Sequence, residues 1–336
     1  MQWKYYRISL YLILLSGCVM GAWVDPGTSV EAPEGYKLVF SDEFNGPVLD
    51  TNKWAVGINR QNIQNDDVDC VYRMENISFR DGYLVFTQRA EPVPVRGRTF
   101  GSPKEGRLFD YSSGGISTAG KFSFKNNMYI EVRARMPGNN GGYGAFWTMP
   151  QVDVGIAPAD LLEIDIFEYI ANPAKERFWS GIWWHDYRKK ELSRFLPEES
   201  FGQRLPDHFF VYDPAHKASW QVDVKPDSRE YNCREFFTSG FRTVGGRMEW
   251  ILAKDGPAWS AEPYAVFKGG TVVSRACQKG EAPSDQWKRN VPSKLNERII
   301  LNFSLHSEEW SGGPIRDDQL PAEMLVDYVR VYELAE

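Results

Sequence analysis

Cysteine, histidine and surplus basic charge are what this chain has least of. Its 336 residues include 4 Cys and 4 His. They contain no CxxC, HExxH, P-loop or Rossmann fingerprint, so neither a zinc centre nor a nucleotide-cradling loop is encoded. Lys and Arg total 39 against 45 Asp and Glu, a net charge of -6. That balance leaves no basic footprint for a nucleic acid backbone. No apolar run is long enough to span a bilayer, and no long segment combines a 3.6-residue apolar period with helix caps. A helical bundle and a polytopic membrane protein are both excluded.

Aromatic and turn residues are what the chain has in quantity. There are 12 Trp, 16 Tyr and 20 Phe, with 29 Gly and 20 Pro, the make-up of a β-rich protein with many turns. The first residues carry Lys4 and Arg7 ahead of the apolar run Ile8 to Leu15, which is the order of a secretory signal. Leu15-Ser16-Gly17-Cys18 has the form of a bacterial lipobox, in which Cys18 is acylated and becomes the new N-terminus. An ordinary signal cut after Gly21 or Ala22 is the alternative. On the first reading residues 1–17 are a signal peptide and 18–33 a tether. Residues 34–336 then form one domain, exported and lipid-anchored at the cell envelope, or else secreted. Cys70, Cys233 and Cys277 remain, enough for one disulfide and a free thiol. Stability must therefore come mainly from the core.

Strand patterns recur at Lys37–Phe40, Tyr83–Gln88, Tyr129–Met136, Leu161–Tyr169, Met248–Leu252, Arg298–His306 and Met324–Tyr332. In Tyr129–Met136, residues Ile130, Val132, Ala134 and Met136 share one face, with Glu131, Arg133 and Arg135 on the other. In Arg298–His306, residues Asn302, Ser304 and His306 share a polar face, as a cleft lining would. The Gly-rich stretch Gly138–Gly144 and the charged stretch Arg188–Arg194 read as excursions at a sheet rim. One all-β sandwich accounts for the pattern.

The chemistry lies in Leu161-Leu-Glu-Ile-Asp-Ile-Phe-Glu-Tyr169. Leu162, Ile164 and Ile166 supply a core face, so Glu163 and Asp165 project together from the other, about 6–7 Å apart. Strict alternation would bury Glu168, and an unpaired buried carboxylate is costly. One extra residue in a β-bulge at Ile166–Phe167 returns Glu168 to the face of Glu163. Carboxylates so close repel, so at least one holds its proton near neutral pH. A retaining glycosidase needs such a set: an ionised carboxylate that attacks the anomeric carbon and a protonated one for the leaving oxygen. Read alone, three acids on a strand could equally be a solvated face or a cation site.

Glu163-Ile-Asp-Ile-Phe-Glu168 resembles the ExDxxE signature of glycoside hydrolase family 16, the laminarinase, agarase and lichenase group. Further matches fall in order. They are Leu38-Val-Phe-Ser-Asp-Glu-Phe44 with Leu49-Asp50 and Trp54, Glu75-Asn76 with Asp81-Gly82-Tyr83-Leu84, Gly114–Phe122, Glu131–Pro137, Ala145–Pro150, Ile300-Leu-Asn302, Trp310-Ser-Gly312 and Val326–Tyr332. Together they cover roughly residues 36–333. The resemblance implies a concanavalin-like jelly-roll sandwich with a substrate cleft across its concave sheet, and endo-acting hydrolysis with retention. It makes Glu163 the nucleophile, Asp165 the assisting acid and Glu168 the acid/base. With two residues between Asp165 and Glu168, the chain resembles the bulged laminarinase, agarase and carrageenase branches.

The resemblance also implies sugar stacking at Trp147. Trp310 sits on a Gly-rich loop, where a large aromatic has little structural reason to be, and is read as a substrate contact. Of Trp183, Trp184 and His185, period two puts Trp183 and His185 on one face, taken as the cleft. No cofactor takes part in the chemistry, although some members hold a structural calcium through residues matching Glu43, the Gly82 carbonyl and Asp327. Residues 206–247 depart from the family pattern, and Arg96 and Arg98 lie on a loop of unassigned direction. The expected partner is a polysaccharide, with β-1,3-glucan first and a red-algal galactan (agar, porphyran or carrageenan) second. No nucleic acid is expected, the membrane enters only through the Cys18 anchor, and the enzyme is expected to be a monomer. Lectins share this sandwich, so the rival from another class is a sugar-binding lipoprotein without activity.

Overall fold

Strands that are apolar on alternate residues must bury that side, and two sheets closing on each other is the least-cost way to do so. A computed structural model of the chain describes residues 23–25, 30–58, 68–94, 108–151, 161–189, 209–222, 233–268, 271–274 and 294–335. Residues 161, 183–189, 209–222, 268 and 271–274 enter by their strand pairing alone. In chain order the strands are β1 (Tyr36–Asp42), β2 (Ala55–Val56), β3 (Cys70–Tyr72), β4 (Ile77–Arg80), β5 (Tyr83–Pro94) and β6 (Leu108–Ser113). There follow β7 (Gly115–Ser117), β8 (Met128–Arg135), β9 (Gly142–Pro150), β10 (Leu161–Ile170), β11 (Arg177–Lys189) and β12 (Phe209–Val222). The last are β13 (Phe237–Val244), β14 (Arg247–Ala253), β15 (Ala265–Lys268), β16 (Thr271–Ser274), β17 (Glu297–Leu305) and β18 (Ala322–Leu334). Among the described residues the helical elements are short 3-10 turns, such as Glu309–Ser311. All seven stretches read as strands fall on β1, β5, β8, β10, β14, β17 and β18, with Met136 and His306 one residue past the ends of β8 and β17.

One sheet runs β16-β15-β14-β13-β8-β18-β5-β6-β3, with β1 on β18 and β4 on β5; the other runs β12-β11-β10-β9-β17-β7-β2. Sequence neighbours are often far apart in this order, as a jelly roll requires. Between the sheets lies one main core. Ile130, Val132 and Val329 from the first sheet meet Phe146, Ile164 and Phe303 from the second. Each such side chain contributes about 1.5–3 kcal/mol by leaving water. The expected all-β sandwich is the fold observed.

Three expectations need correction. Glu131 does not face water. It is fully buried, because the turn Ala258–Ser260 folds over that face: the backbone N–H of Ala258 and the hydroxyl of Tyr129 donate to Glu131 Oε2 at 3.0 and 2.6 Å. The expected tether 18–33 is packed wherever it is described. Trp23 lies against Phe40 and Phe122, and Asp25 accepts from the Glu43 N–H at 2.8 Å and faces the buried Lys53. Val30 and Ala32 join the apolar cluster around Tyr129 and Tyr332. Gly142 to Gly144, read as loop, already belong to β9. Cys70 and Cys233 are both buried free thiols, and Cys277 lies outside the described residues.

Candidate active site

The bulge forecast from charge burial is present. On one side of β10, Asp165 pairs with Gly181 and Glu168 with Trp179, three steps against two; on the other, Asp165 pairs with Trp147 and Phe167 with Phe146. Ile166 and Phe167 both point into the core and are fully buried. Two consecutive inward residues are what reset the alternation, so Glu168 joins Glu163 and Asp165 on the outer face.

A bulge interrupts the ladder and frees backbone carbonyls, which must find other donors. Trp250 Nε1, reaching up from β14 of the opposite sheet, donates to the Asp165 carbonyl at 2.9 Å. Ser180 Oγ donates to the Ile166 carbonyl at 2.7 Å and also meets the Tyr264 hydroxyl. The carboxylate strand is thus pinned from beneath at the two residues where it departs from regular pairing.

Across the sheet the register sets two rows. Trp179, Glu168, Ala145 and Asn302 lie side by side on β11, β10, β9 and β17, and Gly181, Asp165, Trp147 and Ile300 form the next row. Trp147 is half-buried, and its Nε1 donates to Asn302 Oδ1 at 2.7 Å. Asn302 Nδ2 in turn donates to the Tyr72 hydroxyl at 3.1 Å and to Ser304 Oγ at 2.8 Å. This network fixes the plane of the indole and leaves a flat aromatic wall beside the acids. The polar residues read on β17 thus stand in this network, with Asn302 and Ser304 buried.

Glu168 is half-buried, and the Tyr143 hydroxyl donates to its Oε1 at 2.5 Å. Burial pushes the Glu168 carboxyl up to about 7; the Tyr143 bond holds it back and the negative charge of Glu163 adds to the rise. It is the group poised to hold a proton near neutral pH, as an acid/base must. Tyr143 packs against His306, with centroids 4.8 Å apart, and against Trp310 at 6.1 Å. Trp310 is 50% exposed, on a loop that turns through Gly312 at φ 95°, a conformation that favours glycine. A Cβ on Gly313 would lie 2.0 Å from the Ser307 carbonyl oxygen, so the loop carrying Trp310 closes only with glycine there.

Of the residues singled out in the sequence, the structure brings together Glu163, Asp165, Glu168, Trp147 and Trp310. The backbone of Trp183 pairs with Glu163 and that of His185 with Leu161; their side chains lie outside the described residues, as does Cys18. Tyr143, Trp179 and Tyr72 were missed. Period two counted back from Trp183 would have found Trp179, and counted back from Trp147 would have found Tyr143.

The calcium ligands implied by the resemblance do not fit an ion as they stand. Both oxygens of Glu43 accept from Arg330, at 2.9 and 2.7 Å, and Asp327 is ion-paired to Arg133. Among the described residues no group of three or more His, Cys, Asp or Glu could hold a metal.

Adjacent carboxylates on one strand, one of them pushed up to about 7, with a fixed indole beside them, are the set a polysaccharide-cleaving glycoside hydrolase needs. No family model matches the chain. It is 32% identical over 339 residues to the β-glucanase of Rhodothermus marinus, covering 98% of this chain and 95% of that one. It is 24% identical to glucan endo-1,3-β-glucosidase A1 of Niallia circulans, over 89% of this chain but only 38% of that protein's length. A variant of a non-specific endo-β-1,3(4)-glucanase of family GH16, solved with 1,3-β-D-cellobiosyl-glucose at its active site, superposes with a TM-score of 0.57 at 24% identity. That match covers 90% of this chain and 96% of that one. The chain belongs to glycoside hydrolase family 16, the retaining endo-glycanases.

Proposed function

We propose that the protein is an endo-hydrolase of β-1,3-glucan, with Glu163 as nucleophile and Glu168 as acid/base. The observation that carries the reading is the end-to-end likeness to a β-glucanase; the bulge that sets the two glutamates on one face supports the roles. Glu163 attacks the anomeric carbon as the glycosidic C–O bond breaks, and Glu168 gives its proton to the departing oxygen. Water then attacks the same carbon, Glu168 takes the water's proton, and the bond to Glu163 breaks. Asp165, nearly fully buried between them, assists Glu163. Trp147 offers its flat face to a sugar ring, and Trp310 covers the end of the site nearest Glu168.

Reducing ends released from laminarin, lichenan, agarose, porphyran and carrageenan test the reading. It predicts turnover of laminarin first, abolished in Glu163→Gln and Glu168→Gln with binding retained. Turnover of a galactan alone would move the substrate to the red-algal polymers; binding without any turnover would favour a lectin. We also propose that the enzyme acts outside the cytoplasm, anchored by acylation at Cys18, with plain secretion as the alternative. Loss of labelled palmitate in Cys18→Ala checks this, and no incorporation in the parent protein would refute it.

A further inference from the structure

Either carboxyl oxygen of Glu168 could in principle carry the proton it transfers. We infer that Tyr143 is a positioning residue that occupies Glu168 Oε1, so that Oε2 alone delivers the proton to the leaving oxygen and takes one from water. The inference rests on Glu168 being the acid/base.

The Tyr143 hydroxyl lies 2.5 Å from Glu168 Oε1. A phenol O–H donates, and in a protonated carboxyl the carbonyl oxygen is the stronger acceptor, so the oxygen that accepts from Tyr143 is the one without the proton. The donor persists in both states of Glu168, because burial and the neighbouring carboxylates push the Tyr143 phenol well above its ordinary range. Tyr143 cannot swing aside. Its backbone is paired to Ile170 on one flank and Ser304 on the other. Its ring is walled by Ala145 and Ile170 and by His306 and Trp310. A carboxyl held this way meets the glycosidic oxygen already oriented, a large part of what an enzyme gains over solution chemistry. Among the described residues, the charged and titratable groups around Glu168 are Glu163 and Asp165 on β10, Tyr143 on β9 and His306 just past β17. Arg177 on β11 sits over Trp179, the cross-strand partner of Glu168.

The test compares Tyr143→Phe with the parent enzyme on the polymer it cuts and on the 2,4-dinitrophenyl glycoside of the corresponding disaccharide. On polymer, kcat should fall about 10- to 100-fold with KM within about threefold. The rate of forming the glycosyl-enzyme from the dinitrophenyl substrate, whose leaving group needs no proton, should change less than about threefold. Loss of a donor to the ionised form should move the alkaline limb of kcat/KM up by about one pH unit. An unmoved limb, or equal losses on both substrates, would overturn the inference. If Tyr143→Phe folds poorly, 3-fluorotyrosine placed at position 143 keeps the shape but donates more strongly. It should move the limb down, and an upward or absent movement would count against the inference. Glu168→Gln separates the two levels: full polymer activity in that variant would remove the acid/base reading itself. Its inactivity beside an unaltered Tyr143→Phe would remove only the positioning role.

Discussion

Replacing Glu163 by Gln removes a negative charge while keeping the shape of the side chain, and the consequence should appear at Glu168. Burial is the larger cause of the rise of Glu168 to about 7, and the charge of Glu163 is a further one. For a pair of carboxyls about 5.5 Å apart, as retaining chemistry requires, Coulomb's law gives about 3 kcal/mol at an effective dielectric of about 20. In bulk water the figure is about 0.8 kcal/mol. At about 1.4 kcal/mol per pH unit, Glu163→Gln should lower the Glu168 midpoint by roughly 0.5 to 2 pH units. It should stay above an ordinary glutamate, since burial is untouched. The assay is a titration by NMR with carboxyl-13C glutamate, the Glu168 signal being assigned by its disappearance in Glu168→Gln. A midpoint that stays near 7 or rises would show that the two side chains do not share one groove, and the catalytic assignment would fall with it.

Two further outcomes follow from the packing. Trp250→Phe removes the donor to the Asp165 carbonyl and part of a fully buried ring. It should destabilise the fold by about 2–4 kcal/mol and lower kcat more than KM, read by urea denaturation and steady-state kinetics. Stability at parental level with full activity would mean that the bulge needs no pin. Asp42, Glu131 and Glu297 all have carboxyls pushed up by burial, Asp42 to about 6. Groups raised on folding give stability that is complete below the ordinary carboxylate range and is lost as pH rises through their folded values. For Asp42 that loss is about 3 kcal/mol, so the urea midpoint at pH 8 should lie below that at pH 5. A midpoint that climbs over that range would contradict the sign.

What could be read in the sequence, and what could not, divides by the range of the interaction involved. Period two placed Glu163 and Asp165 together, and the cost of burying Glu168 forced a bulge at the correct residues, because both are local arguments along one strand. The core faces of β8 and β17 were legible for the same reason. Glu131 was misread because its cover, the turn at Ala258–Ser260, lies 127 residues away from it along the chain. Trp250, which secures the bulge, comes from the other sheet, and nothing in its own strand marks it. Tyr143 lay in a stretch whose glycines read as loop. In fact Gly144 is a strand residue whose missing side chain makes room for Met136, which would stand 2.8 Å from a Cβ there. Arg133 was read as a charge on the wet face of its strand, and Arg330 carried no reading of its own. Only the folded pairing shows their guanidinium groups already in place on Glu43 and Asp327.

In the proposed reaction Glu163 is the carboxylate that bonds to sugar while Glu168, across the bulge, carries the proton. An activated 2-deoxy-2-fluoro glycoside slows breakdown of the glycosyl-enzyme enough for the labelled peptide to be sequenced by mass spectrometry. A single sugar adduct is expected on Glu163, formed by Glu168→Gln as well because the activated leaving group needs no proton. A label on Asp165 or on Glu168 would contradict it.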